Sequence, residues 1–434
     1  MENLTPIQIL KEIDKIRKEQ NLPKDEKVTP LNSFEMSTLP HIPDDWKWVI
    51  INDISTYITN GVHTPTGEKD DNGYGLHCLR ITDIQGNNDI KYSNLPYCLR
   101  IVKGDYDKKL KKGDIYFSFT GNNLGKRYIV KEDRDDTVYA HYFVRWHPIL
   151  VNPYYVYYMA HSILYDQFIQ AHTLGSTQPN LKVSDLKRFP IPLCDLETQN
   201  RIATPLMNID SKISVNNKMI ENLKSQLKLV FENTFIANVS NEWPNARIGD
   251  YLSLERGLSY KGKYLSDTDG VPMINLGNIL PNSTFRIEKL KFYTGEYKPK
   301  NVVKYGDIVV ANTDLTQARE VLGSAILVPD LGYEEVIASH HISIVRKCLI
   351  SKYYILGLLN APSYRERVAG FATGTTVLAL PAEALLNCEF KLPPKELIDS
   401  FDNFAEKIYR KMEILRKETD KLSLIRDKIV SHLF

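Results

Sequence analysis

The chain repeats itself at a fixed offset, and an internal repeat restricts the fold more than any composition does. Phe235 closes one long amphipathic stretch and Phe434, 199 residues later, closes another. At the same offset Asn152-Pro153-Tyr154-Tyr155-Val156 recurs as Ser351-Lys352-Tyr353-Tyr354-Ile355. Gly175-Ser176-Thr177 recurs as Gly374-Thr375-Thr376, and Ile191-Pro192-Leu193 as Phe390-Lys391-Leu392. Upstream the offset drifts. Lys112-Gly113-Asp114-Ile115 answers to Tyr305-Gly306-Asp307-Ile308 at 193, and Trp46-Lys47-Trp48-Val49 loosely to Trp243-Pro244-Asn245-Ala246 at 197. Two related domains are therefore expected, kept in register at the back, with residues gained and lost at the front.

Each half has two parts. The first mixes short apolar runs, such as Asp114–Phe119 and Asp307–Ala311, with turn signals such as Thr59-Asn60-Gly61, Asp71-Asn72-Gly73 and Thr268-Asp269-Gly270. Such runs predict strands, and residues 153–171 and 352–369 predict helices, so each front is a mixed α/β domain. The second part carries a heptad stripe. In the first copy it runs Ile202, Leu206, Ile209, Ile213, Ile220, Leu223, Leu227, Val230, with polar Asn216 in the same row. In the second it runs Phe401, Ala405, Ile408, Met412, Leu415, Leu422, Ile429, Leu433, with Thr419 and Arg426 between. Two stripes in one register predict an antiparallel coiled coil and a molecule of approximate two-fold symmetry. The expected order is a helical leader (1–42), a recognition domain (43–195), a helix (196–238), a second recognition domain (239–394) and a second helix (395–434). Ile7, Ile9, Leu10, Ile13 and Ile16 give the leader an apolar face, for the long helices, for a partner, or for a loosely held extension.

Two divergent domains on a rigid spacer suit a split target on double-stranded DNA, whose backbones have local two-fold symmetry. About 30 helical residues at ~1.5 Å each span ~45 Å, or ~13 base pairs. Because the fronts differ, the two blocks read should differ. The loops carry side chains able to read base edges. In the first half the candidates are Asn60, His63 and Thr64; Arg80; Thr120, Asn122, Asn123, Lys126 and Arg127; and Thr177, Gln178 and Asn180. In the second they are Arg256, Tyr260, Lys261 and Lys263; Asn275 and Asn278; Asn312, Asp314, Thr316, Gln317 and Arg319; and Thr375 and Thr376.

Other classes find little support. Five cysteines without a Cys-x-x-Cys pair argue against a disulfide framework or zinc site and for a reducing cytoplasm. A net charge of +2 decides little: it is low for a chain that holds DNA alone, so the chain either does not bind DNA or relies on partners for much of the phosphate contact. No run of ~18 apolar residues predicts a membrane span, and no glycine-rich phosphate loop predicts bound ATP. Asn152-Pro153-Tyr154-Tyr155 evokes the Asn-Pro-Pro-aromatic signature of adenine methyltransferases. It lacks the second proline and a nucleotide loop, and reads better as a helix start with packing aromatics. Asp330, Glu334 and Glu335 lack the lysine of a nuclease site, and His340-His341 reads as a strand-edge pair.

Gly175-Ser176-Thr177-Gln178-Pro179-Asn180-Leu181, Val183-Ser184-Asp185-Leu186, Leu196-Glu197-Thr198-Gln199-Asn200-Arg201-Ile202-Ala203 and Gly113-Asp114-Ile115 with Gly125-Lys126 are similar to phrases of the specificity subunits of type I restriction–modification systems. The resemblance covers about residues 46–434. The second copy departs from it, since Gly374-Thr375-Thr376-Val377 lacks the Gln-Pro-Asn. The resemblance implies two target-recognition domains reading an asymmetric two-part DNA site, with paired helices setting the gap. It implies docking of two modification subunits, which bind S-adenosylmethionine, and of restriction subunits, which use ATP and Mg²⁺. The chain itself would bind no cofactor and catalyse nothing. A type IIB-like assembly, or a coiled-coil adaptor that binds protein, are the alternatives.

Overall fold

The computed structural model describes residues 4–22, 25, 27–84, 90–173, 180–281, 283–314, 319–374 and 377–433. It forms two compact units, Met1–Asn216 with Glu418–Phe434, and Asn217–Lys417. Each contains the same three sheets.

In the first unit a five-stranded sheet runs Thr66–Gly67, Tyr97–Cys98, His77–Leu79, Arg134–Tyr139, Lys109–Leu110. Its central pair, His77–Leu79 and Arg134–Tyr139, is parallel. A four-stranded antiparallel sheet runs Ser55–Asn60, Phe143–Pro148, Ile115–Ser118, Arg127–Ile129. A ribbon joins Lys47–Ile50 to Pro190–Leu193. The second unit repeats the set. Leu265–Ser266, Lys291–Tyr293, Val271–Ile274, Val336–Ala338 and Val302–Val303 make five strands, again with a parallel central pair. Ser253–Arg256, Ile342–Arg346, Ile308–Ala311 and Ala325–Leu327 make four, and Asn245–Arg247 pairs Glu389–Lys391. Strand runs such as Ile115–Ser118 and Ile308–Ala311 are apolar almost throughout because both of their faces are buried.

The repeat explains why Gly-Asp-Ile occurs twice. Gly113 and Gly306 sit at φ +87° and +83°, where a side chain would be strained, and turn the chain into the strand. Asp114 is fully buried beside Arg145 and His147, and Asp307 meets Arg346 at 3.3 Å. The expected helices 153–171 and 352–369 are each broken in two, Pro153–Met159 with Ile163–Thr173 and Lys352–Asn360 with Pro362–Ala369. In the second unit the break falls before Pro362, where proline disfavours helical backbone in the preceding residue. Asn152 caps its helix by accepting from the Tyr154 and Tyr155 N–H groups, and the Tyr155 hydroxyl donates to the Pro192 carbonyl. These groups hold a domain joint together.

The long helices span Leu196–Phe231, ending in a π-helical turn Glu232–Ala237, and Lys395–Leu433. Within the first unit they run antiparallel. Lys212 and Asn216 meet Glu418, Asn216 also meets Thr419, Asp210 meets Arg426 at 2.9 Å, and Val430 shares a core with Ala203 and Leu206. Within the second, Phe231 and Phe235 close on Phe401 with ring centroids 5.5 and 5.4 Å apart. Ile220, Leu223, Leu227, Ile408 and Met412 belong to the same core. Leu206, Ile213 and Leu415 are buried, and Ile202, Ile209, Leu422 and Ile429 half-buried, as a seam requires.

Two seam positions need correction. Val230 is 37% exposed and Leu433 41% exposed; Phe231 and Val430 are buried instead. Phe231 and Val430 are themselves 199 residues apart, so the same off-stripe position is buried in both copies. A straight helix drifts ~20° per heptad away from a 3.5-residue stripe. Phe231 packs on Tyr354 of the domain body as well as on Phe401 of the partner helix.

The leader is part of the first unit. Thr5 and Gln8 form a capping box at the start of the helix Pro6–Glu19. Ile9 and Ile13 are buried in a core with Val49, Ile51 and Ile54. Buried Arg17 donates to the carbonyls of Asn52 and Ser55. Asp25 pairs with Lys187 at 2.6 Å and Glu35 with Arg188 at 2.7 Å. Packing is against the domain, and Ile7 is exposed.

Candidate nucleic-acid interface

Register brings the candidate loops together. In the first unit Asn60 pairs with Val144, Ser118 with Phe143, and Leu79 with Tyr139. The segments leaving Asn60, Leu79 and Ser118 therefore open at one edge, where the turn Ala140–Tyr142 also lies. Val62 bridges Ala140, and Thr120 bridges Asn180, which draws the end of the Gly175–Asn180 phrase to the same edge. The second unit builds the same edge. Arg256 pairs with Ser343, Ala311 with Ile342, and Ile274 with Ala338, while Leu258 bridges Ser339. Thr313–Asp314 pairs with Leu378–Ala379, so Thr313↔Ala379 reproduces Thr120↔Asn180 although the two offsets are 193 and 199. The lost residues were absorbed between contacts and left the contacts in place.

At this edge Asn60, His63, Lys126 and Asn180 are exposed in the first unit, and Arg256, Lys261, Lys263 and Arg319 in the second. Thr64, Thr120, Asn123 and Tyr260 are half-buried, and Asn122 lies on the turn Gly121–Asn123. Several presented groups are already anchored. Thr64 Oγ accepts from the Arg100 N–H, Arg256 Nε donates to the His340 carbonyl, and Arg319 donates to the Ala369 carbonyl. Lys263 lies over the Tyr264 ring.

Other candidates face inward. Arg80 forks onto Asp83, donating to both carboxylate oxygens at 3.0 and 2.8 Å. Arg127 donates to the Gly125 carbonyl and covers the Tyr165 ring at 5.1 Å. Asn275 accepts from Gly277 N–H and donates to the Lys289 carbonyl, and buried Asn278 accepts from Asn275 N–H and donates to the Arg286 carbonyl. Asn312 is buried on His340 O, Ser343 and Thr313, and Asp314 on the N–H groups of Val321 and Leu322. Buried amides and carboxylates hold loops in shape when their partners are backbone groups. Asn275, Asn278, Asn312 and Asp314 are thus loop-building side chains. Thr177, Gln178, Thr316, Gln317, Thr375 and Thr376 lie outside the described residues.

His340-His341 does not sit on a strand edge. It occupies the turn between Val336–Ala338 and Ile342–Arg346, as His141-Tyr142 does between Arg134–Tyr139 and Phe143–Pro148. In the first unit the His63 and His141 rings stack at 4.0 Å and 5°, and Tyr142 lies 4.2 Å from His141. In the second, Tyr260 lies 5.4 Å from His340, and His341 3.9 Å from His340. Burial first, then a neighbouring charge or imidazole, lowers the pKa of His141, His340 and His341 below the ordinary histidine range. The sequence held a signal for this pair: Ala140-His141-Tyr142 and Ser339-His340-His341 stand 199 residues apart. Among the described residues no group of three or more His, Cys, Asp or Glu side chains is gathered as around a metal ion, and no helix is long and apolar enough to cross a membrane.

Comparison with known proteins agrees on one family. The profile of the "Type I restriction modification DNA specificity domain" matches residues 43–225. The putative type I restriction enzyme MjaX specificity subunit of Methanocaldococcus jannaschii is 25% identical over 92% of this chain and 95% of its own. The MjaVIII specificity subunit of the same organism is 22% identical over 93% and 95%. The crystal structure of a type I restriction–modification S subunit from M. genitalium shares the fold, with a TM-score of 0.52 at 14% identity over 90% of this chain and 96% of that one.

Proposed function

We propose that the chain is a specificity subunit of a type I restriction–modification system, and that each unit reads one block of an asymmetric two-part site on double-stranded DNA. One observation carries the reading. Two units of the same sheet register gather loops at the same edge, yet fill those loops with different polar side chains. A shared scaffold with different contents suits two half-sites of different sequence. The long helices are the spacer: 36 residues of the first extend about 54 Å, enough to leave several base pairs unread. Modification subunits dock on the helices and domains and supply S-adenosylmethionine-dependent methylation. Restriction subunits supply the ATP- and Mg²⁺-dependent steps, and this chain contributes recognition without chemistry of its own.

The test is methylation-site mapping in cells that carry the complete system. Exchange of residues 46–190 for the matching region of a relative should change one block and leave the other. A heptad inserted in the first long helix should alter the unread gap and neither block. Unchanged specificity after the exchange overturns the reading.

A further inference from the structure

The turns that carry the rings keep both their backbone bridges and their class of side chain in the two units. Each turn is built by a chain crossing too close for any side chain. A Cβ on Gly61 would lie 2.2 Å from the Tyr139 carbonyl oxygen and 2.3 Å from that of Ala140. A Cβ on Gly257 would lie 2.2 Å from the Ser339 carbonyl oxygen and 2.5 Å from that of Ala338. That crossing seats the next residues, Val62 and Leu258, in parallel bridges against Ala140 and Ser339. It also brings a side chain from the crossing loop, His63 or Tyr260, against the first ring of the turn.

The turn backbones are fixed by hydrogen bonds. Ala140 N–H donates to Leu79 O and Phe143 N–H to Ala140 O; Ser339 N–H donates to Ile274 O and Ile342 N–H to Ser339 O. Each unit thus holds a ledge of three rings on a rigid mount. The order is His, His, Tyr in one and Tyr, His, His in the other, so the class is kept while the identity changes. A core aromatic would be fully covered, but His63 is exposed and the remaining five are half-buried. A neutral imidazole presents one donor, one acceptor and an apolar face, which together distinguish base edges without adding charge. Rings preset on a rigid turn lose little conformational freedom on binding.

We infer that the three-ring ledge is the specificity-determining element of each unit, His63, His141 and Tyr142 contacting base edges of one block and Tyr260, His340 and His341 those of the other. This rests on the two-block reading above.

The experiment uses the complete chain assembled with its modification subunits. Methylation-site mapping is combined with binding to duplexes that carry every single-base change in the mapped site. His63→Ala and His141→Ala should reduce discrimination roughly tenfold or more at one or two positions of one block and leave the other block untouched. Tyr260→Ala and His340→Ala should do the same in the other block. His141→Phe keeps the stack and loses the donor and acceptor, so it should lose discrimination with little loss of total affinity. His63 is exposed, so its substitution tests the ledge in a folded domain, and thermal melting of each variant confirms it. If the parent complex reads a two-block site and every ledge variant reads it with the same discrimination, the ledge is overturned and the two-block reading stands. If the parent complex shows no two-block selectivity, both fall.

Discussion

Asn216 gives the sharpest test of how the helices are held. Its side chain is 0% exposed in a row of apolar residues. Nδ2 donates to Glu418 at 2.9 Å and to Thr419 at 3.4 Å, while Oδ1 is buried and finds no donor among the described residues. Asn216→Leu would remove one amide whose burial is only half repaid. An unsatisfied buried polar atom costs about 1–3 kcal/mol, whereas each retained hydrogen bond contributes about 0.5–1.5. Glu418 is partly solvated, with 42% of its side chain exposed, and keeps Lys212 at 3.5 Å, so it is not stranded by the change. The expected result is a net stabilisation of about 1–2 kcal/mol, roughly a 3–6 °C rise in melting temperature for a unit of this size. Scanning calorimetry of the complete chain reads it directly. A fall in the melting temperature would refute the reasoning, for it would make the amide a net source of stability. What the substitution gives up is pairing specificity, since one polar residue in a seam fixes the register. The Asn216→Leu variant should therefore tolerate shifted helix pairings that the parent chain excludes.

Gly61→Ala and Gly257→Ala should each cost about 2–3 kcal/mol or more, because backbone carbonyls block the new Cβ. Gly104→Ala and Gly262→Ala, which open on free space, serve as controls in denaturant titrations. Arg17→Met should destabilise the first unit by about 2–4 kcal/mol, since two buried carbonyls lose a charged donor; hydrogen exchange would place the loss at residues 49–55. His161 carries a pH signature. Its Nδ1 faces the Tyr157 carbonyl, and burial, then the charge of Arg127, pushes its pKa down from 6.5 to about 3. The unfolded chain binds the proton first, so His161 favours folding fully above pH 6.5 and progressively less as pH falls from 6.5 towards 3. His161→Gln should flatten acid destabilisation in that window, and an unchanged pH profile would count against it.

Periodicity made the long helices legible, because a heptad stripe is local and survives in both copies. It failed at two positions near the helix ends: Val230 and Leu433 obey the stripe but are exposed, while Phe231 and Val430 are buried, and no local spacing announces that change. The leader's apolar face was equally visible, but its destination was not, because Arg17, for example, meets Asn52 and Ser55, 35 and 38 residues further along the chain, and local spacing does not reach that far. In the loops, composition misled for a chemical reason. Asparagine and aspartate suit base edges and also their own backbone, and Asn275, Asn278, Asn312 and Asp314 spend their groups on the latter.

The ring turns show the opposite failure. His340 and His341 look isolated in one copy, and only alignment with His141 and Tyr142 at the constant offset gives them meaning. Two copies of one scaffold are a controlled comparison made within a single chain. Whatever both keep against a drifting background is needed by the architecture or by its common task. The glycine crossings at Gly61 and Gly257 satisfy the architecture, since no other residue fits there. The rings have no such steric necessity at a half-open turn, so their persistence is better explained by what the turn meets than by what it packs against.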